Sequence, residues 1–134
     1  GDWPGVASTA EELISLGAAD AGTWAALADV RSNQEDEAGA IEAYAQAVTL
    51  DPGQAMLRRN YANSLITLDR LDEAAGQLEA AEALEPDAPY LALRRAELAK
   101  ARDDRAEAAR WAEEALRRQP DWDEAQTLLD WARG

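Results

Sequence analysis

Residues 24–52 read WAALADVRSNQEDEAGAIEAYAQAVTLDP, and the spacing inside this stretch decides the fold. Trp24, Leu27 and Ala28 open it, Ala40, Tyr44 and Ala47 follow, and Asp51-Pro52 closes it. The same columns return downstream. Pro52, Pro86 and Pro120 are 34 residues apart, as are Ala28, Ala62 and Ala96. Ala40, Ala74 and Ala108 form another column, and Ala47, Ala81 and Ala115 a fourth. Four columns in register over three copies identify an internal repeat, each copy being one supersecondary unit. The secondary structure of the unit follows from composition. Alanine and leucine dominate the apolar residues, phenylalanine is absent, and no period-two run of β-branched residues occurs. These residue types lose least on entering a helix, so the unit is predicted to be helical throughout.

The columns resemble the tetratricopeptide repeat, whose pattern runs W-x2-L-[GA]-x2-Y, then A-x3-F, a further alanine and a closing proline. The first copy, 21–54, matches through Trp24, Leu27, Ala28, Ala40, Tyr44, Ala47 and Pro52. The second, 55–88, keeps Tyr61, Ala62, Ala74, Leu78, Ala81 and Pro86, with Arg58 in the tryptophan slot. The third, 89–122, keeps Ala96, Ala108, Ala115 and Pro120, with Ala92 and Arg95 in the larger apolar slots. In reverse register, Gly1-Asp2-Trp3 falls on the turn of an earlier copy, and 1–20 becomes that copy's second helix. Residues 123–134 form a closing helix, with Asp121-Trp122-Asp123-Glu124 as its capping box. A start in mid-repeat leads to the expectation that this is a segment of a longer protein.

The resemblance implies an all-α fold, a right-handed α-α superhelix of antiparallel hairpins in one domain. Eight helices are expected, near 4–17, 21–33, 36–50, 54–68, 71–84, 88–102, 105–118 and 122–132. It implies that the first helix of each copy lines a concave face where a peptide or protein partner binds. That face takes Gly22, Ala25, Ala26, Asp29, Ser32 and Asn33 from the first copy. The second gives Met56, Arg59, Asn60, Asn63, Ile66 and Thr67, and the third Tyr90, Leu93, Arg94, Glu97, Lys100 and Ala101. Three of these residues are basic and two acidic, so the face is expected to be the least acidic surface of the chain.

Arg59, Asn60, Asn63, Arg94 and Lys100 are the polar binding candidates, with Met56 and Tyr90 as apolar contacts. An arginine fork beside an amide donor suits a carboxylate or an extended backbone, so the partner is expected to carry an acidic group. The carboxylate clamp of chaperone-binding family members is matched only in part. Its five positions fall on Ala25, Asp29, Asn60, Tyr90 and Arg94, or one copy later on Arg59, Asn63, Arg94, Glu124 and Leu128. The competing reading is that the arginines pair with nearby glutamates, as surface ion pairs do. Trp131 falls beside the apolar stripe of the last helix and is expected to stand exposed, a contact for self-association. An assembly module, associating through its ends or convex face, is therefore the alternative to a partner-binding scaffold.

Composition excludes other classes. The chain has 134 residues, 47% of them apolar, enough for one domain with a core. Its 27 acidic and 13 basic residues give a net charge of −14, which repels nucleic acid phosphates and anionic membranes. An acidic surface that selects a basic partner is the sharper reading of this charge, and a solvated surface the plainer one. No run of about 18 apolar residues is present to insert into a membrane. Histidine and cysteine are absent, and with them the usual bases and nucleophiles of an enzyme. No phosphate-cradling glycine motif occurs. Asp103-Asp104 and Asp121-x-Asp123 fall at predicted helix starts, where aspartate accepts backbone amides, so no metal and no cofactor is expected.

Overall fold

A computed structural model describes residues 3–134. Among them run eight helices: α1 (Trp3–Ser15), α2 (Ala21–Asn33), α3 (Glu37–Leu50), α4 (Ala55–Thr67), α5 (Leu71–Leu84), α6 (Pro89–Ala101), α7 (Arg105–Arg118) and α8 (Asp123–Arg133). Each lies within two residues of its expected range. Three hairpins, α2–α3, α4–α5 and α6–α7, stack in order, with α1 against α2 at one end and α8 against α6 and α7 at the other. The result is an all-α superhelix.

The alanine columns explain the stacking. Ala28, Ala62 and Ala96 on the first helices are completely buried, as are Ala40, Ala74, Ala108, Ala47, Ala81 and Ala115 on the second. A methyl group lets two backbones approach closely, and larger residues fill the gaps beside it. Leu27, Leu65, Leu78 and Leu93 are the largest apolar side chains that are fully enclosed. Tyr44 of α3 stacks on Tyr61 of α4, ring centroids 5.9 Å apart, and ties the first hairpin to the second.

The turns inside the hairpins also repeat. Glu35, Asp69 and Asp103 each adopt positive φ, 62°, 60° and 57°. In the first turn the Glu35 amide donates to Ser32 O and the Asp36 amide to Arg31 O, 3.0 and 2.8 Å, and the other two turns repeat both bonds. This pair satisfies the last carbonyls of the first helix and reverses the chain. Asp36 and Asp104 then cap α3 and α7, accepting from the amides of Gly39 and Glu107. A Cβ at position 39 would meet the Asp36 carboxylate at 2.2 Å, so any other residue there forces that carboxylate to shift.

Several local expectations are corrected. Trp3 is the first residue of α1 rather than part of a turn, while Gly1 and Asp2 lie outside the described residues. The capping box at Asp121 does not form. Trp122 occupies the N-cap of α8 with its ring buried and no side-chain cap bond, because packing that ring outweighs one polar cap. Arg58, in the tryptophan slot, donates to Pro52 O and to Gln77 Oε1, so its long side chain bridges a loop and the next helix. Arg95 lies over the Trp111 ring at 5.1 Å and pairs with Glu82. The apolar stem and planar head of arginine let it fill an aromatic position.

The two ends differ. On α1, Val6, Thr9 and Leu13 face Thr23 and Ala26 of α2 across an open groove of about 400 Å³. In the repeat register these α1 positions match Ala40, Ala43 and Ala47 of α3, which are buried in the array. The outer face of α8 is polar, with Gln126 donating to Asp130 at 2.9 Å. Among the described residues no helix is long and apolar enough to cross a membrane.

Candidate functional site

One face of the array is built by α2, α4, α6 and α8, of which α4 lies against α6 and α6 against α8. A 34-residue step moves from one helix to the same place on the next. Ala26, Asn60, Arg94 and Leu128 therefore form one row, and Asp29, Asn63, Glu97 and Trp131 another. Each row changes chemistry along the array, and two different depressions result.

The first lies between α2 and α4. Trp3, Asp29, Ser32, Asn33, Tyr44, Asn60 and Asn63 line a polar hollow of about 260 Å³. Its floor is fixed from outside the face. The Tyr44 hydroxyl donates to Asp29 Oδ1 at 2.9 Å, and burial together with that carboxylate pushes the phenol well above its ordinary pKa. Tyr44 is thus a locked donor that holds Asp29 in one orientation. Ser32 Oγ donates to the Glu37 carboxylate at 3.1 Å. The side-chain amides of Asn33, Asn60 and Asn63 make no hydrogen bond with any described residue, while Asn60 and Asn63 are half-buried. Each carries a carbonyl oxygen and two N–H donors, the same inventory as a peptide backbone.

The second depression lies between α6 and α8 and reaches the end of α4. Ile66, Ala101 and Leu128 supply its apolar lining, Thr127 and Lys100 its sides, and Glu97, Asp123 and Glu124 its carboxylates, around about 630 Å³. Arg94 Nη1 donates to both oxygens of Glu97 at 3.0 Å, so both are committed to each other. Burial is the main cause that raises the Glu97 pKa above the ordinary carboxylate range. Arg94 opposes that rise, and the Glu124 charge adds to it. The ammonium of Lys100 sits 5.4 Å from the centre of the Trp131 ring, without an ion pair to any described residue.

The expected binding residues are thereby sorted. Asn60, Asn63 and Lys100 lie on the face with free polar groups. Met56 and Tyr90 are exposed near the starts of α4 and α6, 63% and 52%, the Tyr90 ring edge-on to Trp122 at 5.0 Å. Arg59 is not exposed: only 8% of it is accessible, and its guanidinium donates to Glu85 at 3.2 Å, at the end of α5. Leu93 is completely buried among the hairpins rather than open on the face. Arg94 is exposed in small part and already paired. The Trp131 ring is half-buried between Lys100 and Arg105, the latter 4.4 Å from its centre, and does not stand free.

The charge balance changes with them. Removing Arg59 and adding Asp123 and Glu124 takes the face from one net positive to two net negative. The face is acidic, like the rest of the chain. Sequence reasoning missed the Asp29–Tyr44 lock and the acidic rim on α8. The register places Glu124 in the same column as Met56 and Tyr90, a signal that could have found the rim. Among the described residues no three carboxylates gather as a metal-holding group.

Known proteins match at the level of the fold. Residues 32–96, about half of the chain, match the tetratricopeptide repeat family. The first such domain of Spaghetti (RPAP3), solved bound to the HSP90 peptide SRMEEVD, is 23% identical, with a TM-score of 0.79 over 85% of this chain and 90% of that one. The MamA protein is 17% identical, with a TM-score of 0.86 over 98% of this chain and 72% of that one. YrrB, described as having an unusual peptide-binding site, is 21% identical, with a TM-score of 0.83 over 90% of this chain and 62% of its own. No curated protein matches the sequence.

Proposed function

Because this chain is a tetratricopeptide repeat protein, we propose that it is an interaction scaffold that holds an extended segment of a partner protein on the face formed by α2, α4, α6 and α8. The observation that carries this reading is the trio of free amides, Asn33, Asn60 and Asn63, around one hollow. Asn33 is exposed and Asn60 and Asn63 are half-buried, so all three amides are open to the hydrogen bonds of a ligand. An extended backbone presents alternating donors and acceptors that such amides complete two at a time. The role is binding without catalysis. Residues 3–20 hold the place of a repeat's second helix, 21–54, 55–88 and 89–122 act as full repeats, and 123–134 as the closing helix of one array.

The solved relative with the EEVD peptide supports a protein segment as ligand. In this chain a partner carboxylate would meet the amides of Asn60 and Asn63, because Arg59 and Arg94 are already paired. The test is to select binders from a displayed peptide library and compare the chain with its Asn60→Ala/Asn63→Ala variant. Losing two neutral hydrogen bonds weakens binding by about tenfold or more, while the melting temperature stays nearly constant. Equal affinity for the variant would remove the amide hollow from the function. Self-association remains the second reading, favoured by the open groove of Val6, Thr9 and Leu13 rather than by Trp131.

A further inference from the structure

The apolar groove between α6 and α8 has a lining that a purely structural account leaves idle. Ala101 and the half-buried Ile66 give the groove its hydrocarbon walls over the buried Leu128, and the exposed carboxylates of Asp123 and Glu124 stand on its rim. Neither carboxylate makes an ion pair or hydrogen bond with a described residue. Glu97, the third carboxylate, faces the same space from α6 with Arg94 as its partner. On the other side, the Lys100 ammonium lies toward the Trp131 ring and not between these acids. At the start of α8, Asp123 and Glu124 also favour the helix dipole, which accounts for their sign but not for the hydrocarbon beside them.

We propose that this groove receives a lysine or arginine side chain from the bound partner segment, its methylene stem on Ile66, Ala101 and Leu128 and its cationic head between Asp123 and Glu124. The charge of the groove and the length of such a side chain fit together. Lysine and arginine bury their stems along apolar surface and keep their heads at a polar rim. A cation there also offsets the repulsion between Glu124 and the half-buried Glu97. The net charge of −14 draws a basic segment toward the chain before contact. A carboxylate in the same place would face the unpaired Asp123 and Glu124, with Glu97 offset by Arg94 and Lys100 turned to the Trp131 ring, so the site discriminates by sign. Together with the amide hollow on α2 and α4, it selects a partner segment with a backbone stretch at one end and a basic residue at the other. This assignment deepens the scaffold reading and rests on it.

The experiment titrates the full chain with N-acetyl-L-arginine methylamide and, separately, with its uncharged isostere N-acetyl-L-citrulline methylamide, at physiological salt, and follows backbone amide signals by NMR. The arginine probe shifts the signals of Ala101, Thr127 and Leu128, with an affinity about three- to fivefold above that of citrulline, the scale of an exposed ion pair. Asp123→Asn/Glu124→Gln abolishes the difference, whereas Asp121→Asn/Asp130→Asn, which removes the same charge elsewhere on the C-terminal end, preserves it. Equal shifts from both probes, shifts spread over the whole acidic surface, or an unchanged response in Asp123→Asn/Glu124→Gln would each overturn the assignment. Because the probes are single residues, the outcome is independent of the Asn60 and Asn63 hollow. Failure of the peptide-binding reading and failure of this one are thus separately visible.

Discussion

Ser64 is a completely buried residue whose hydroxyl finds no partner among the described residues. It sits on α4 in the register of Val30 on α2 and Leu98 on α6, both buried and apolar. A buried hydroxyl without a hydrogen bond gives up its hydration for nothing in return. Ser64→Ala removes that loss and adds helix propensity, so it is expected to stabilise the fold by about 0.5–1.5 kcal/mol. Thermal unfolding checks this as a rise of the midpoint by about 2–6 °C; a fall would show that the hydroxyl has a role in the packing. Residue-level fate was the least legible part of the sequence. Arg58 and Arg59 are adjacent, and helical spacing assigned one to the interior and one to the binding face. Both instead reach loop or helix-end acceptors, Pro52 O and Glu85, because a guanidinium on a long stem is not confined to the direction of its Cα–Cβ bond. Alanines have no such freedom, and all nine column alanines are fully buried as their spacing requires.

At the scale of the element, the turns at 35, 69 and 103 are built alike but from residues that suit them unequally. All three backbones are left-handed, a conformation that glycine takes without steric cost, that aspartate tolerates and that glutamate does not favour. Glu35 is exposed, so its side chain can be removed without loss of packing. Glu35→Gly is expected to add about 0.5–1 kcal/mol, and Asp69→Gly or Asp103→Gly less, since relief of strain outweighs the added chain entropy. Denaturant unfolding of the three variants reads that order. A destabilised Glu35→Gly would contradict the strain account. The sequence held a faint trace of this, because Gly1 stands 34 residues before Glu35 and the resemblance places Gly-Asp at that turn. Helix starts and stops were easier to read, since prolines and aspartates act within their own helix ends and need no distant partner. Asp121 is the exception, displaced by Trp122, whose buried ring belongs to a contact between elements.

Across the whole molecule, a one-dimensional stack explains both what was legible and what was not. Each hairpin meets only its neighbours, so the period alone determines architecture and the rows of the concave face. The site itself depends on contacts that cross the period. Arg59 reaches Glu85, Tyr44 reaches Asp29, and α8 brings Asp123 and Glu124 against α6. Such contacts turn a face read as weakly basic into an acidic one with two different chemistries along its length. Free amides lie over α2 and α4, and an apolar groove with an acidic rim lies over α6 and α8. The central claim is that a partner segment lies on this face. Its most direct test is to map the tightest library-selected peptide by backbone amide shifts across the chain. The account predicts the largest changes at Asn33, Asn60 and Asn63, continuing along α6 to Thr127. Changes confined to α3, α5 and α7, or to the open groove of α1, would contradict it.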